Sequence, residues 1–190
     1  MPTIYDSAAE APGGGVADRV CTVGRRLLGI DGRLGSTWAG VSCAAVAERE
    51  PVVVYTDGAC AGNPGPGGWA WALAPDGAVN GSGGERATTN QRMEITAVLE
   101  ALRALDPSRP VTVVSDSTYV VNCFRDRWHE RWVANGWRNA QRKPVANADL
   151  WRPLIELVAD RDVSFRWVKG HSGELMNDLV DALAVAAIVR

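Results

Sequence analysis

Two runs of apolar and β-branched residues in this chain each end on an aspartate: Val52-Val53-Val54-Tyr55-Thr56 leads into Asp57, and Val111-Thr112-Val113-Val114-Ser115 leads into Asp116. One aspartate at a strand end is more often a turn or cap residue than a reactive group. Two that converge need another explanation, because neighbouring carboxylates repel and raise one another's pKa unless a cation neutralises them. A third acid, Glu94, stands in the first turn of the helical stretch between them. Oxygen donors without Cys or His favour hard ions such as magnesium or manganese. Two such ions about 4 Å apart activate water and stabilise the leaving oxygen in phosphoryl transfer. The residue types therefore point to metal-dependent phosphodiester or phosphoryl chemistry.

The elements around these acids can be read from pattern. Val52–Thr56 is the continuous run of a strand buried on both faces, and Gly68–Leu73 and Val79–Ser82 give two more strands across the turn "PDG", a meander. In "TTNQRMEITAVLEALRAL" the apolar groups Ile95, Val98, Leu99, Leu102 and Leu105 recur at helical spacing, with Asn90 as N-cap and Pro107 beyond the end. Val111–Asp116 is a second buried strand, followed by helical text from Ser117 to Phe124. A further helix and a basic loop fall within 128–142, a helix over 149–159, a strand over 163–168 and a terminal helix over 174–189. This order, βββαβα(α)αβα, predicts an α/β domain with a mixed sheet. A right-handed crossover through the helix near Asn90 makes the two aspartate-ending strands parallel neighbours, so both carboxylates emerge at one sheet edge, where open α/β folds hold ligands. The intervening hairpin reverses the chain twice, and strand geometry alone leaves the place of Glu94 open.

Composition sets the outer bounds. At 190 residues, 46% hydrophobic and 22% charged, the chain can bury one good core. Residues 1–50 are rich in Ala and Gly, with one short amphipathic stretch from Val20 to Ile30; they are expected to be a low-complexity, mostly disordered extension or a mis-assigned start, and residues 51–190 the ordered domain. The net charge of −2 predicts no nucleic-acid partner, but charge is distributed unevenly. Arg125, Arg127, Arg131, Arg138, Arg142 and Lys143 stand against only Asp126 and Glu130, interleaved with Trp128, Trp132 and Trp137. Such a run is either a solvated helix face or a surface that tracks phosphates and stacks on bases. The four cysteines are widely spaced, which suggests neither a zinc site nor a disulfide framework and fits a reducing cytoplasm. No apolar run approaches the ~20 residues of a membrane span, so no membrane partner is expected.

Five segments in series, "YTDGACAGNPGPGGWAW", "TTNQRMEITAVLEAL", "VVSDSTYVVN", "RKPVANADLW" and "WVKGHSGELMNDLVDALA", resemble the successive signatures of type 1 ribonuclease H, the bacterial-type family, over nearly all of residues 52–188. The resemblance implies the ribonuclease H-like fold, a five-stranded mixed sheet flanked by helices. It implies hydrolysis of the RNA strand of an RNA–DNA hybrid by two magnesium ions, with manganese as a substitute, leaving 3′-hydroxyl and 5′-phosphate ends. Asp57, Glu94, Asp116 and Asp181 match the family's metal-binding carboxylates, and the family brings that glutamate beside the two strand-end aspartates. His171, in "KGHSG", matches a mobile-loop histidine that assists proton transfer or product release. Cys60, Asn63, Asn90 and Gln91 match contacts to the RNA strand around its 2′-hydroxyls. Thr89 and Asn147 match a pocket for a phosphate of the DNA strand, and Tyr119, Trp128 and Trp132 an aromatic wall of the DNA channel. A monomer acting in the cytoplasm is the expected form.

Read without the family, several of these residues have plainer roles. Asp181 is then part of the polar stripe of an amphipathic helix, His171 a loop surface residue, and Trp128 and Trp132 core residues at helical spacing. The sequence also departs from the family: three residues before Asn90, where relatives often carry arginine, stands Ala87, with Arg86 one step earlier and so on the other face of a strand. No segment in residues 1–50 resembles the small hybrid-binding domain that some relatives carry. Two alternatives stay in view, a catalytically silent hybrid-binding module of the same fold and a resolvase- or integrase-like DNA nuclease.

Overall fold

The structure is a computed structural model that describes residues 21–22 and 50–189. The expectation for residues 1–50 therefore falls almost wholly outside the described residues. The domain is built from strands β2 (Val52–Cys60), β3 (Gly65–Leu73), β4 (Asn80–Thr88), β5 (Val111–Ser115) and β6 (Val163–Trp167). They are joined by helices α1 (Asn90–Ala104), α2 (Thr118–Arg125), α3 (Trp128–Ala134), α4 (Ala148–Ala159) and α5 (Leu175–Ala186). A two-residue strand, β1 (Cys21–Thr22), lies antiparallel along the outer edge of β6, giving the order β1-β6-β5-β2-β3-β4. The five strands of the domain thus form the mixed sheet expected from the sequence, with β1 added at its edge.

The pairing of β2 with β5 is parallel and that of β2, β3 and β4 antiparallel, as the crossover and meander require. In β2 and β5 the register matches Tyr55 with Val114. Two residues further along, the same register brings Asp57 level with Asp116. The two faces of the sheet bury cores of different size. Val54, Ile95, Leu99, Leu102, Val113, Phe124, Trp151, Leu154 and Phe165 fill the face covered by α1, α2 and α4. Tyr55, Ala72, Val114, Met176 and Val180 form a smaller cluster beneath α5.

Two local features differ from the sequence reading. The helix cap is Thr89, whose extended backbone lets its hydroxyl accept from the Arg92 amide at 3.4 Å, and Asn90 is the first helical residue. Strand β4 runs on to Thr88 through a glycine-rich stretch of low strand propensity. Gly81 and Gly83 lie directly under the indoles of Trp71 and Trp69, where an added Cβ would come within 2.7 and 2.6 Å of the rings. Burial of those two rings, rather than any preference of β4 itself, holds that edge strand in place.

Candidate active site

Chain direction explains how Glu94 reaches the aspartates. β2 ends at the upper edge of the sheet, β3 runs down and β4 up again, so α1 begins at the edge where β2 and β5 end. Gly58 completes the approach: an added Cβ there would collide with the Met93 carbonyl carbon and the Glu94 amide nitrogen. Because no side chain intervenes, the first turn of α1 lies against β2 one residue past Asp57. Asp181 comes from the middle of α5, and His171 from the segment joining β6 to α5.

Asp57, Glu94, Asp116, Asp181 and His171 line one open pocket of about 420 Å³, together with Gly58, Ala59, Cys60 and Asn90. Each acid is held. The Gly58 amide donates to Asp57 Oδ1 at 2.7 Å. Glu94 accepts from Ser117 Oγ at 2.6 Å and from Asn90 Nδ2 at 2.9 Å, so both of its oxygens are fixed. Asn177 Nδ2 donates to Asp116 Oδ2 at 3.3 Å. His171 Nδ1 stands 3.8 Å from Asp181 Oδ2, with its ring 81% exposed and its backbone in the left-handed region at φ 50°.

The electrostatics show that these groups act on one another. Burial, then the charge of Asp116, and further Asp181 and Glu94, push the Asp57 carboxyl up to about 7, against the lowering effect of the Gly58 amide. Burial and Asp116 also raise Glu94, opposed by the hydrogen bonds from Ser117 and Asn90. Among the described residues the acids do not close into a ready-made cation cluster. The donor set fits a hard divalent ion, since four carboxylates face the pocket and the Cys60 thiol that also lines it is turned to the Gly65 and Thr88 carbonyls.

The other residues singled out in the sequence fall into three places. Cys60 and Asn90 line the pocket, and Asn63 Oδ1 accepts from the Asn90 amide at 3.4 Å beside the exposed Gln91. Thr89 caps α1, and Asn147 occupies the matching position at the start of α4 with φ 57°. The two helix starts are tied by a paired contact of Arg92 with Asp149 at 2.8 and 3.1 Å. Arg86 and Ala87 are both exposed at the end of β4.

Tyr119, Trp128 and Trp132 form a chain of rings at 6.4 Å centroid spacing. Each is half-buried against the large core, and Tyr119 and Trp132 meet Trp151 edge-on at 5.3 and 5.5 Å. Their packing matches the core reading, and half-burial leaves part of each ring open to solvent. Trp137 extends the row and carries Arg152 4.3 Å above it.

Ser117 and Asn177 escaped the sequence reading, although each had a signal. Ser117 directly follows Asp116 and caps α2. Asn177 precedes Asp181 by four residues, one helical turn on the same face of α5.

A family model described as RNase H matches residues 49–189. A ribonuclease H of Nitratidesulfovibrio vulgaris (strain DP4) is 52% identical over 140 residues, which cover 73% of this chain and 90% of that protein. A ribonuclease H of Chlorobium luteolum is 50% identical over 143 residues, covering 75% and 98% of the two. Among solved structures, LC9-RNase H1, described as a type 1 RNase H with the type 2 active-site motif, is 34% identical with a TM-score of 0.62 over 72% of this chain and 71% of that one.

Proposed function

This chain belongs to the RNase H family of endonucleases, and on that premise we propose that it hydrolyses the RNA strand of RNA–DNA hybrids with divalent ions held by Asp57, Glu94, Asp116 and Asp181. The observation that carries the reading is the convergence of these four carboxylates on one pocket, where burial first and then the neighbouring acids push Asp57 up to about 7. Clustered negative charge works against binding a polyphosphate unless cations are held there, which sets this reading above a silent hybrid-binding module. Two magnesium ions, or manganese in their place, would neutralise the acids, activate water and stabilise the leaving oxygen, giving 3′-hydroxyl and 5′-phosphate ends.

The chain's own residues then have distinct tasks. Ser117 and Asn90 orient Glu94, and Asn177 orients Asp116. His171, exposed beside Asp181, is placed to carry a proton or to move with departing product. Cys60 and Asn90, which line the pocket, and Asn63 and Gln91 next to Asn90 would read an RNA 2′-hydroxyl. Thr89 and Asn147, at two adjacent helix starts, take a phosphate of the DNA strand, with Ala87 contributing no charge there. Tyr119, Trp128 and Trp132 offer their open faces to the DNA strand. The protein acts as a monomer in the cytoplasm in this reading. Among the described residues no helix is long and apolar enough to cross a membrane.

The test is cleavage of a labelled RNA–DNA hybrid beside single-stranded RNA, duplex RNA and duplex DNA, with magnesium and with a chelator. Magnesium-dependent cutting confined to the RNA of the hybrid is expected. Asp116→Asn preserves shape and removes one charge, so cleavage should fall by at least about a hundredfold while the circular dichroism spectrum stays unchanged. Near-normal cutting by that variant overturns the metal assignment, and cutting of duplex DNA favours the nuclease of the resolvase type.

A further inference from the structure

The segment that carries His171 is tied down at its far end by a group of side chains that the chemistry above leaves unused. Glu174 stands at the N-cap position of α5 and makes no side-chain bond to the helix amides. Its Oε1 instead accepts from the Tyr55 hydroxyl at 2.7 Å. The same hydroxyl accepts from Arg166 Nη2 at 3.1 Å. Sheet register explains how three residues so far apart in sequence meet. Tyr55 is matched with Val114, and Val114 with Arg166, so Tyr55 and Arg166 reach toward each other over Val114 on the face beneath α5. Tyr55 is only 5% exposed, fixed in the small core with Val114, Met176 and Val180. It also sits two residues before Asp57 on the same face of β2.

The start of the segment is fixed too. Trp167 Nε1 donates to the Asp116 carbonyl at 3.0 Å, and Gly170 passes so close to the Asp116 carboxylate that an added Cβ would strike Oδ2. Between these anchors Ser172 Oγ, donating to the Lys169 carbonyl at 2.6 Å, braces the turn, and His171 itself stands 3.8 Å from Asp181.

We propose that Tyr55, Glu174 and Arg166 form a latch that positions the His171 segment over the acidic pocket, making them positioning residues for the reaction. The segment spans β6 to α5 with both ends referred to the strands that carry Asp57 and Asp116, and Glu174 is its last side-chain anchor. Releasing the latch frees the C-terminal half of the segment while Trp167 still holds the other half. The catalytic part of the inference rests on the role given to His171; the structural part does not.

Tyr55→Phe removes one hydroxyl and keeps the ring in its core. Amide hydrogen exchange read by mass spectrometry should quicken across residues 169–175 by roughly fivefold, the worth of one hydrogen bond, with β5 unchanged. Glu174→Ala should do the same, and Glu174→Gln, which still accepts from the hydroxyl, should restore most of the protection. On a hybrid substrate with magnesium, kcat of Tyr55→Phe should fall by a similar factor with KM unchanged. In a His171→Ala background the second substitution should cost nothing further.

Unchanged exchange across 169–175 overturns the latch. Faster exchange with a kcat loss that persists undiminished in the His171→Ala background overturns positioning through His171. A fully active His171→Ala enzyme would refute the role given to that histidine, with the exchange result still deciding whether the latch restrains the segment.

Discussion

Asp57 gathers more opposing influences than any other side chain in the pocket, and its titration makes them measurable. Its folded carboxyl lies near 7, above the ordinary 3.8 of an aspartate, because burial and three other acids disfavour its charge. An acid with a raised folded pKa binds its proton more tightly in the folded state. Its contribution to stability is therefore fully present below about pH 4 and is lost as pH rises through about 7. Asp57→Asn removes the charge and leaves an oxygen for the Gly58 amide. In chelator at pH 8 this variant should be more stable than the parent by on the order of 2 kcal/mol, with the gap shrinking toward pH 4. Magnesium should close the gap at pH 8 by stabilising the parent alone. Thermal melts at the two pH values, with and without the ion, check this; a gap independent of pH would mean that Asp57 does not bear the burden assigned to it. Its cleavage activity should be lost under every condition.

At the scale of elements, the contact that brings the third acid to the site is backbone against backbone. α1 lies on β2 at Gly58, and the atoms that a methyl group would meet belong to the Met93–Glu94 peptide, which cannot swing aside as a flexible side-chain end could. Gly58→Ala should therefore displace the first turn of α1, costing about 2 kcal/mol in urea denaturation and at least about tenfold in kcat through the shifted Glu94. A variant that keeps full activity would show that Glu94 tolerates displacement. The far end of α1 is secured differently, by Arg161 donating to the Leu102 and Leu105 carbonyls, which satisfies acceptors that a helix end leaves unpaired. Helical periodicity made α1 and α5 legible because each has one face on the core. β4 was half-hidden, because its order comes from the indoles of β3 and not from its own residues.

Among the described residues of the whole molecule, every acid of the site and every partner that orients one lies beyond residue 51, on a sheet whose edge collects the ends of β2 and β5 and the start of α1. The pairing of Cys21–Thr22 with Ser164 and Phe165 touches the lateral margin of the sheet, along β6. Deleting residues 1–50 should leave hybrid cleavage within about twofold, as expected for a change away from the buried site. Exchange at the Ser164 and Phe165 amides reports any effect on the uncovered edge. A truncated chain that fails to fold would show that the β1 pairing is part of the core structure.

The sequence by itself determined the residue types and their local settings: apolar runs ending in Asp57 and Asp116, a helix beginning just before Glu94, another carrying Asp181, and a glycine-flanked His171. These are properties of period, cap and turn, which act over a few residues and so leave a mark in the text. Only the tertiary structure decided that Glu94 stands beside the aspartates, that Ser117 and Asn177 hold them, and that Tyr55 reaches Glu174 across a separation of 119 residues. Those contacts depend on strand register and on how closely a helix can lie against a strand. Both are settled by packing among distant segments, which no local pattern records.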